Sequence, residues 1–248
     1  MRTTLEWQIA TIQSIQVETS TVKTFTLAVP SWMPHRAGQH YDIRLTAPDG
    51  YQAQRSYSIA SEPERQGVID LTVEWLEDGE VSSYLHEGLT TGDQLEVRGP
   101  IGGYFVWEAS MNGPLLLIAG GSGIVPLMSM IRHRAKTGSQ VPTRLLYSVR
   151  TPEDVIYDEE LRQRPAFRDG LEIFYTFTRS QPAGWTGYAR RIDRQMLSEV
   201  VEPFGKEPLV YVCGPTLLVE SVANQLVQID IPPARIRNER FGPTGGTQ

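Results

Sequence analysis

The stretch LLLIAGGSGIVPLMSMIRHRAK, residues 115–136, places an apolar run, a glycine-rich turn and an amphipathic segment in unbroken succession. LLLIAG (115–120) shows no alternation, as expected of a strand buried on both faces. In IVPLMSMIRHRAK (124–136), Ile124, Leu127, Met128 and Ile131 share one face of a helix. The connecting AGGSGIVP (119–126) thus ends a strand and opens a helix. Its glycines allow a ligand to approach closely, and the free amides at a helix start attract phosphate. A tight connection with no ligand is the competing reading. A P-loop is excluded because no Gly-Lys-Ser/Thr follows, and the usual dinucleotide fingerprint needs a third glycine where Pro126 stands. Proline is instead at home in the first helical turn.

The same alternation continues toward the C-terminus. TRLLYSV (143–149) precedes a helical candidate, PEDVIYDEELRQR (152–164), and LEIFYTFT (171–178) precedes IDRQMLSEVV (192–201). LVYVCG (209–214) then precedes PTLLVESVANQLVQI (215–229). Strands this apolar, alternating with helices, predict a buried parallel sheet. YVCGPTLLVE (211–220) repeats the logic of strand, turn and helix. In open parallel sheets ligands sit beyond the carboxyl ends of the strands, where Cys213 and Gly121 both fall. Taken alone, Cys213 reads as a small buried hydrophobe rather than a reactive thiol. No histidine or asparagine has a spacing that suggests a nucleophilic triad.

Toward the N-terminus the pattern changes. TVKTFTLAV (21–29), HYDIRLTA (40–47), RSYSIAS (55–61), VIDLTVEWL (68–76) and DQLEVRG (93–99) read as strands, with one short helical candidate, VSSYLHEGL (81–89). Strand starts roughly ten residues apart suggest a small antiparallel barrel or sandwich. EASMNGP (108–114) reads as a linker. The predicted architecture is an antiparallel β-barrel over residues 1–109, followed by an α/β doubly wound parallel sheet over 110–248. RSYSIAS holds a guanidinium, a phenol and three hydroxyls, more chemistry than a plain strand needs.

Composition narrows the function classes. The formal charge is −6 and no Lys/Arg run with interleaved aromatics stands out, so a nucleic-acid role is not expected. The N-terminal MRTTLEWQIATIQ lacks a signal peptide's apolar core, and no apolar run is long enough to span a bilayer. A cytoplasmic protein without membrane insertion is the expectation. The single cysteine, Cys213, excludes an internal disulfide and a cysteine-ligated iron–sulfur cluster within these residues. Four scattered histidines, with His35 and His40 five residues apart, give no metal site.

Three separated motifs, RSYS (55–58), GGSGIVP (120–126) and YVCGP (211–215), resemble those of the ferredoxin–NADP reductase superfamily in order and separation. The closing NERFGPTGG (238–246) resembles the ends of its bacterial members that feed electrons to oxygenases. The resemblance covers essentially the whole chain. It implies an FAD-binding barrel, a nicotinamide-dinucleotide domain and an active site in the cleft between them. It makes Arg55 similar to the arginine that pairs with the flavin pyrophosphate, a task suited to forked donors. Tyr57 resembles the aromatic that stacks on the isoalloxazine, and Ser58 the hydroxyl near flavin N5. DGEVSSYL (78–85) resembles the second phosphate site, with Gly79 permitting the turn and Val81, Ser82 and Ser83 at the helix start. Ordinary helix capping is the alternative for Ser82 and Ser83.

On the nucleotide side the resemblance assigns the dinucleotide phosphates to Gly121, Ser122 and Gly123. It sets Cys213, followed by Gly214 and Pro215, beside the nicotinamide C4. Val125 stands where the family often has Thr or Ala. Glu239 and Phe241 resemble the acidic and aromatic residues that close over the flavin, simple packing being the alternative for Phe241. Arg150, with Arg179 and Ser180 at the end of the next strand, would suit a 2′-phosphate, which favours NADPH over NADH. The implied activity is hydride transfer from NADPH (or NADH) to FAD, then electron release to a separate acceptor such as a ferredoxin or Rieske-type protein. Free flavins or small oxidants are the alternative acceptors, and a non-catalytic binding or regulatory subunit is the alternative of another class.

Overall fold

The computed structural model describes residues 5–111, 113–164 and 170–241. Residues 242–246 of the closing motif and the rest of the glycine-rich tail lie outside them. The chain separates into two compact units, one holding the residues up to Glu108 together with Met128–Lys136, the other Ala109–Leu127 and the residues from Thr137 onward. The second half of the helix after the glycine turn therefore groups with the N-terminal unit. There Ser129 Oγ donates to the Ser61 carbonyl at 2.7 Å and Arg132 to the Ala60 carbonyl at 2.8 Å.

In the N-terminal unit, β1 (Gln8–Thr19), β2 (Val22–Ala28), β3 (His40–Thr46), β4 (Gln52–Ser58), β5 (Val68–Glu74) and β6 (Gln94–Ile101) form one antiparallel sheet. Its order is β4-β3-β6-β1-β2-β5. The two outer strands meet through a bridge between Ile59 and Leu71, with the Ala60 amide donating to the Asp70 carbonyl at 2.8 Å. The sheet therefore curls into a barrel whose β4–β5 seam is joined just beyond the end of β4. Helix α1 (Glu80–Glu87) buries Val81 and Leu85 in the same apolar cluster as Tyr41, Ile43, Leu71 and Val73. The barrel expected from the sequence is present, but its longest strand, β1, was not anticipated. Register shifts between Ile12 and Ser14 and between Val17 and Thr19 break the inward–outward alternation that would have marked it.

The second unit contains β7 (Leu115–Gly120), α2 (Ile124–Lys136, whose second half groups with the barrel), β8 (Thr143–Val149), α3 (Asp158–Gln163), β9 (Leu171–Phe177), α4 (Arg194–Val201), β10 (Leu209–Pro215), α5 (Thr216–Gln228) and β11 (Ile236–Phe241). The strands are parallel in the order β11-β10-β7-β8-β9. From β7 the chain steps outward to β8 and β9, then returns to build β10 and β11 on the other side. Right-handed crossovers in opposite directions set α2 and α5 on opposite faces, which is the doubly wound arrangement. Leu116, Ile118, Val210 and Val212 pack on one face against Met196, Leu197 and Val200 of α4 and Val219, Val222 and Leu226 of α5. Every residue of β7 is buried, as its lack of alternation requires.

Two readings of this unit need correction. Residues 152–164 do not form one helix. A 3-10 turn at Pro152–Asp154 is followed by extended Val155 and by Tyr157 at φ 61°, and α3 begins only at Asp158. The Ile156 amide donates to the Tyr147 hydroxyl rather than to a helical carbonyl, so a tertiary bond displaces the local one. IRNERF (236–241) was not anticipated as a strand. It is the half-buried edge strand β11, so it lacks the continuous apolar run of its neighbours.

The reversal point of the sheet is set by a backbone contact. A Cβ added at Gly123 would fall well inside van der Waals distance of the Cys213 carbonyl and 2.6 Å from the Gly214 nitrogen. Gly123→Ala is expected to destabilise the fold by roughly 1–3 kcal/mol, since backbone on both sides must move. Urea unfolding checks this; an unchanged midpoint would show that the turn yields freely.

Candidate active site

Strand β4 is the outermost strand on one side of the barrel sheet. Its pairing with β3 sets Tyr57 opposite Tyr41, Arg55 opposite Ile43 and Ala53 opposite Leu45. Because Tyr41 and Ile43 belong to the apolar cluster, strand alternation puts Arg55 and Tyr57 on the barrel's inner face. Yet Arg55 is exposed and Tyr57 only half-buried, so the inner face is open here. Arg55 Nη1 donates to the Gln54 carbonyl at 2.7 Å. Burial pushes the Tyr57 phenol up to about 12, with the Arg55 charge pulling the other way, so the ring is a neutral stacking face. Ser58 lies buried at the end of the strand, opposite His40. On the outer face, the Ser56 hydroxyl donates to Asp42 Oδ1 at 2.7 Å.

At the start of α1 the hydroxyls have structural work. Ser82 Oγ accepts from the Leu76 amide at 3.2 Å and donates to the Gly79 carbonyl at 3.0 Å, while Ser83 Oγ donates to the Leu76 carbonyl at 3.3 Å. These bonds brace the 76–79 turn, and a Cβ at Gly79 would stand 2.9 Å from Leu76 Cβ. No side chain caps the helix start. The arrangement fits a diphosphate held by backbone amides rather than by serine hydroxyls. Tyr51, which nothing in the sequence singled out, donates its hydroxyl to Glu80 at 3.1 Å beside this helix start. It lies in a hairpin turn, where neither periodicity nor motif marks it.

In the second unit the glycine turn 121–123 is a single 3-10 turn that leads into α2. Gly121 has φ +51° and nothing within 4 Å of where a Cβ would sit, so the turn presents bare backbone to open space. That cradle fits a dinucleotide phosphate. Ser122 is half-buried on the same turn and Gly123 is pressed against β10. Val125 is buried in the first turn of α2. Gly214 and Pro215 end β10, with Pro215 at the N-terminus of α5.

Strand register then gathers residues that are far apart in the chain. Glu239 pairs with Cys213, Cys213 with Ala119, Ala119 with Tyr147 and Tyr147 with Tyr175, so all five lie in one row across the parallel sheet. Burial, reinforced by the nearby Glu239 carboxyl, pushes the Cys213 thiol well up and keeps it protonated. Burial also raises the Glu239 carboxyl to about 7. This end of the sheet therefore holds a neutral thiol beside a carboxyl able to carry a proton near neutrality. Phe241, half-buried, ends the described part of β11 opposite Pro215.

Arg150 and Arg179, at the ends of β8 and β9, are brought together by the backbone. The amides of Arg179 and Ser180 donate to the Arg150 carbonyl at 2.9 and 3.3 Å. Both arginines and Ser180 are exposed, and no ion pair of either arginine occurs among the described residues. The Asp154 carboxylate is turned back on its own loop. It accepts from the Thr151 amide at 3.0 Å and from the Thr151 hydroxyl at 3.1 Å.

Comparison with known proteins agrees with this division of labour. Residues 9–106 match the oxidoreductase FAD-binding domain family and residues 117–224 the oxidoreductase NAD-binding domain family. The chain is 32% identical over 231 residues to the glycine betaine monooxygenase reductase subunit of Chromohalobacter salexigens, covering 92% of this chain and 62% of that protein. It is 32% identical over 210 residues to ferredoxin–NADP reductase B of Sorangium cellulosum, covering 83% of this chain and 84% of that one. In three dimensions it resembles the flavohem-like FAD/NAD-binding domain of nitric oxide dioxygenase from Vibrio cholerae, with TM-score 0.85, 24% identity and coverage of 95% and 99% of the two chains. No described helix is long and apolar enough to cross a membrane.

The raised Glu239 carboxyl gives a signed expectation. Its folded value of about 7 lies above the ordinary 4.5, so the folded protein holds the extra proton between those values. That contribution to stability is complete below about pH 4.5 and lost as pH rises through 7. Wild type should therefore lose stability relative to Glu239→Gln between pH 4.5 and 7, with the difference levelling above 7. Urea midpoints of the two proteins across that range check it; parallel curves would return Glu239 to an ordinary solvated carboxylate.

Proposed function

Because this chain belongs to the ferredoxin–NADP reductase superfamily of FAD- and NAD(P)-binding oxidoreductases, we propose that it passes electrons from NADPH through FAD to a separate acceptor protein. The reading is carried by the pairing of two bare-backbone phosphate sites, the uncapped start of α1 and the open Gly121 turn, one in each unit. We assign FAD to residues 1–109 and the dinucleotide to residues 110–248.

Bound FAD supplies hydride acceptance from the reduced nicotinamide and release of electrons singly or in pairs. The protein supplies position and field. Arg55 and the first amides of α1 would neutralise the flavin diphosphate, Tyr57 would offer its ring as a stacking face, and Ser58 would direct its hydroxyl to the flavin edge. Gly121, Ser122 and Gly123 would receive the dinucleotide phosphates. Cys213, protonated and buried, would set an uncharged surface beside the nicotinamide, which Gly214 and Pro215 flank. Glu239 would hold or release a proton in the same row, and Phe241 would shield that end of the sheet.

Arg150, Arg179 and Ser180 favour NADPH, because two exposed cations and a hydroxyl at adjacent strand ends suit a 2′-phosphate. The inward-turned Asp154 supports the same choice, since it leaves the ribose without that carboxylate partner. The acceptor in this reading is a ferredoxin or a Rieske-type protein; the names of two relatives, a ferredoxin–NADP reductase and the reductase subunit of a monooxygenase, support a separate acceptor.

The purified protein should be yellow and its flavin should bleach anaerobically with NADPH, with kcat/KM for NADPH well above that for NADH. Arg150→Ala and Arg179→Ala should each raise KM for NADPH roughly tenfold, the loss expected for a charge-assisted hydrogen bond, and leave NADH kinetics unchanged. A clear NADH preference in the wild type would overturn the nucleotide assignment. Tyr57→Ala should weaken FAD retention by roughly 1–3 kcal/mol if it deletes a stacking face. Flavin occupancy after dialysis reads that out, and undiminished occupancy would remove Tyr57 from the site.

A further inference from the structure

We propose that Tyr147 is a positioning residue for dinucleotide binding, its buried hydroxyl tying the phosphate turn after β7 to the arginine-bearing loop after β8. The inference rests on the dinucleotide reading of the second unit. Tyr147 lies in β8, fully buried and opposite the small Ala119 of β7. From there its hydroxyl donates to the Gly121 carbonyl at 3.2 Å and accepts from the Ile156 amide at 3.3 Å. A phenol buried in a sheet core is costly unless both capacities of its oxygen are used. Here one bond fixes each of two loops.

Both bonds reach backbone groups that local structure leaves with capacity to spare. Gly121 is in the left-handed region at φ +51°, and its carbonyl also accepts from the Ile124 amide that closes the 3-10 turn. Ile156 lies between the Pro152–Asp154 turn and left-handed Tyr157, outside any helix that could supply a carbonyl. The tie therefore sets the spacing between Gly121, whose backbone faces open space, and the loop that begins at Arg150. A dinucleotide that spans the two would bind to a preset gap rather than order it on arrival.

The neighbouring tyrosine supplies a control. Tyr175 follows Tyr147 in the same row, with ring centroids 6.2 Å apart, but its buried hydroxyl has no hydrogen-bond partner among the described residues. Deleting either hydroxyl preserves a phenyl ring in the same packing, and only one deletion cuts the tie.

The test is titration of the full-length, FAD-loaded protein with NADP+ by calorimetry, with steady-state and stopped-flow reduction by NADPH, for wild type, Tyr147→Phe and Tyr175→Phe. Tyr147→Phe should weaken NADP+ binding and raise KM by about three- to tenfold, the loss expected for a hydrogen bond. Its flavin content and its limiting rate of flavin reduction at saturating NADPH should match wild type, and Tyr175→Phe should match wild type throughout. Wild-type affinity in Tyr147→Phe, or equal losses in both variants, would overturn the inference alone. A flavin-loaded wild type that binds neither NADP+ nor NAD+ would overturn the functional reading and the inference with it. If Tyr147→Phe does not fold, hydrogen exchange on the wild type decides. NADP+ should slow exchange in residues 119–125 and 150–157 together, and protection of one segment without the other would overturn the tie.

Discussion

The structure of the second unit depends on how closely the turn after β7 approaches the end of β10. Gly123 meets the backbone of Cys213 and Gly214 with no room for a side chain. That contact lies where the sheet order reverses, between β7 and β10, the place where open parallel sheets bind their ligands. It leaves Gly121, two residues earlier, facing open space. One glycine is required for packing and the other for access. The two roles look identical in the sequence GGSG and separate only when the partner strand is in place.

The two units solve a similar problem by similar means. Each has the start of a helix or helical turn that the proposed reading gives to a phosphate, and each braces that start with hydroxyls bonded to backbone carbonyls. In the barrel the hydroxyls are those of Ser82 and Ser83, bonded to the Leu76–Gly79 turn. In the α/β unit the brace is the Tyr147 phenol, bonded to Gly121 from a different strand. Using side chains as supports leaves the backbone amides free for an anion, and amides fixed in this way would need little rearrangement on binding. The Ser82 and Ser83 hydroxyls brace the turn before α1 and do not cap the helix itself.

Register makes the chemical row at the end of the sheet. Cys213 and Glu239 are separated by a helix and a turn in the chain, yet they are direct neighbours across β10 and β11. Their burial keeps the thiol protonated and lifts the carboxyl to about 7. A charged thiolate or a fully solvated carboxylate would give this end of the sheet a different field. The barrel's open inner face at Arg55 and Tyr57 likewise follows from where β4 falls in the sheet order. A strand with this composition in the middle of the sheet would have had to bury the guanidinium.

The chain's own pattern was enough to define the antiparallel and parallel halves and the strand–turn–helix at 115–136, whereas Arg55, Tyr57 and Cys213 stood out as a set only through the family resemblance. Continuous apolar runs, alternation and glycine-rich turns are local signals, and local signals survive without a fold. β1 escaped because bulges scramble its alternation, and β11 because an edge strand need not be apolar. The break in residues 152–164 escaped because its cause, the Tyr147 hydroxyl on the Ile156 amide, lies on another strand. Which tyrosine joins two loops and which glycine is pressed against a neighbouring strand were decided by tertiary structure. Both depend on which backbone group of another strand or turn comes close, and strand register and crossover direction determine that distance.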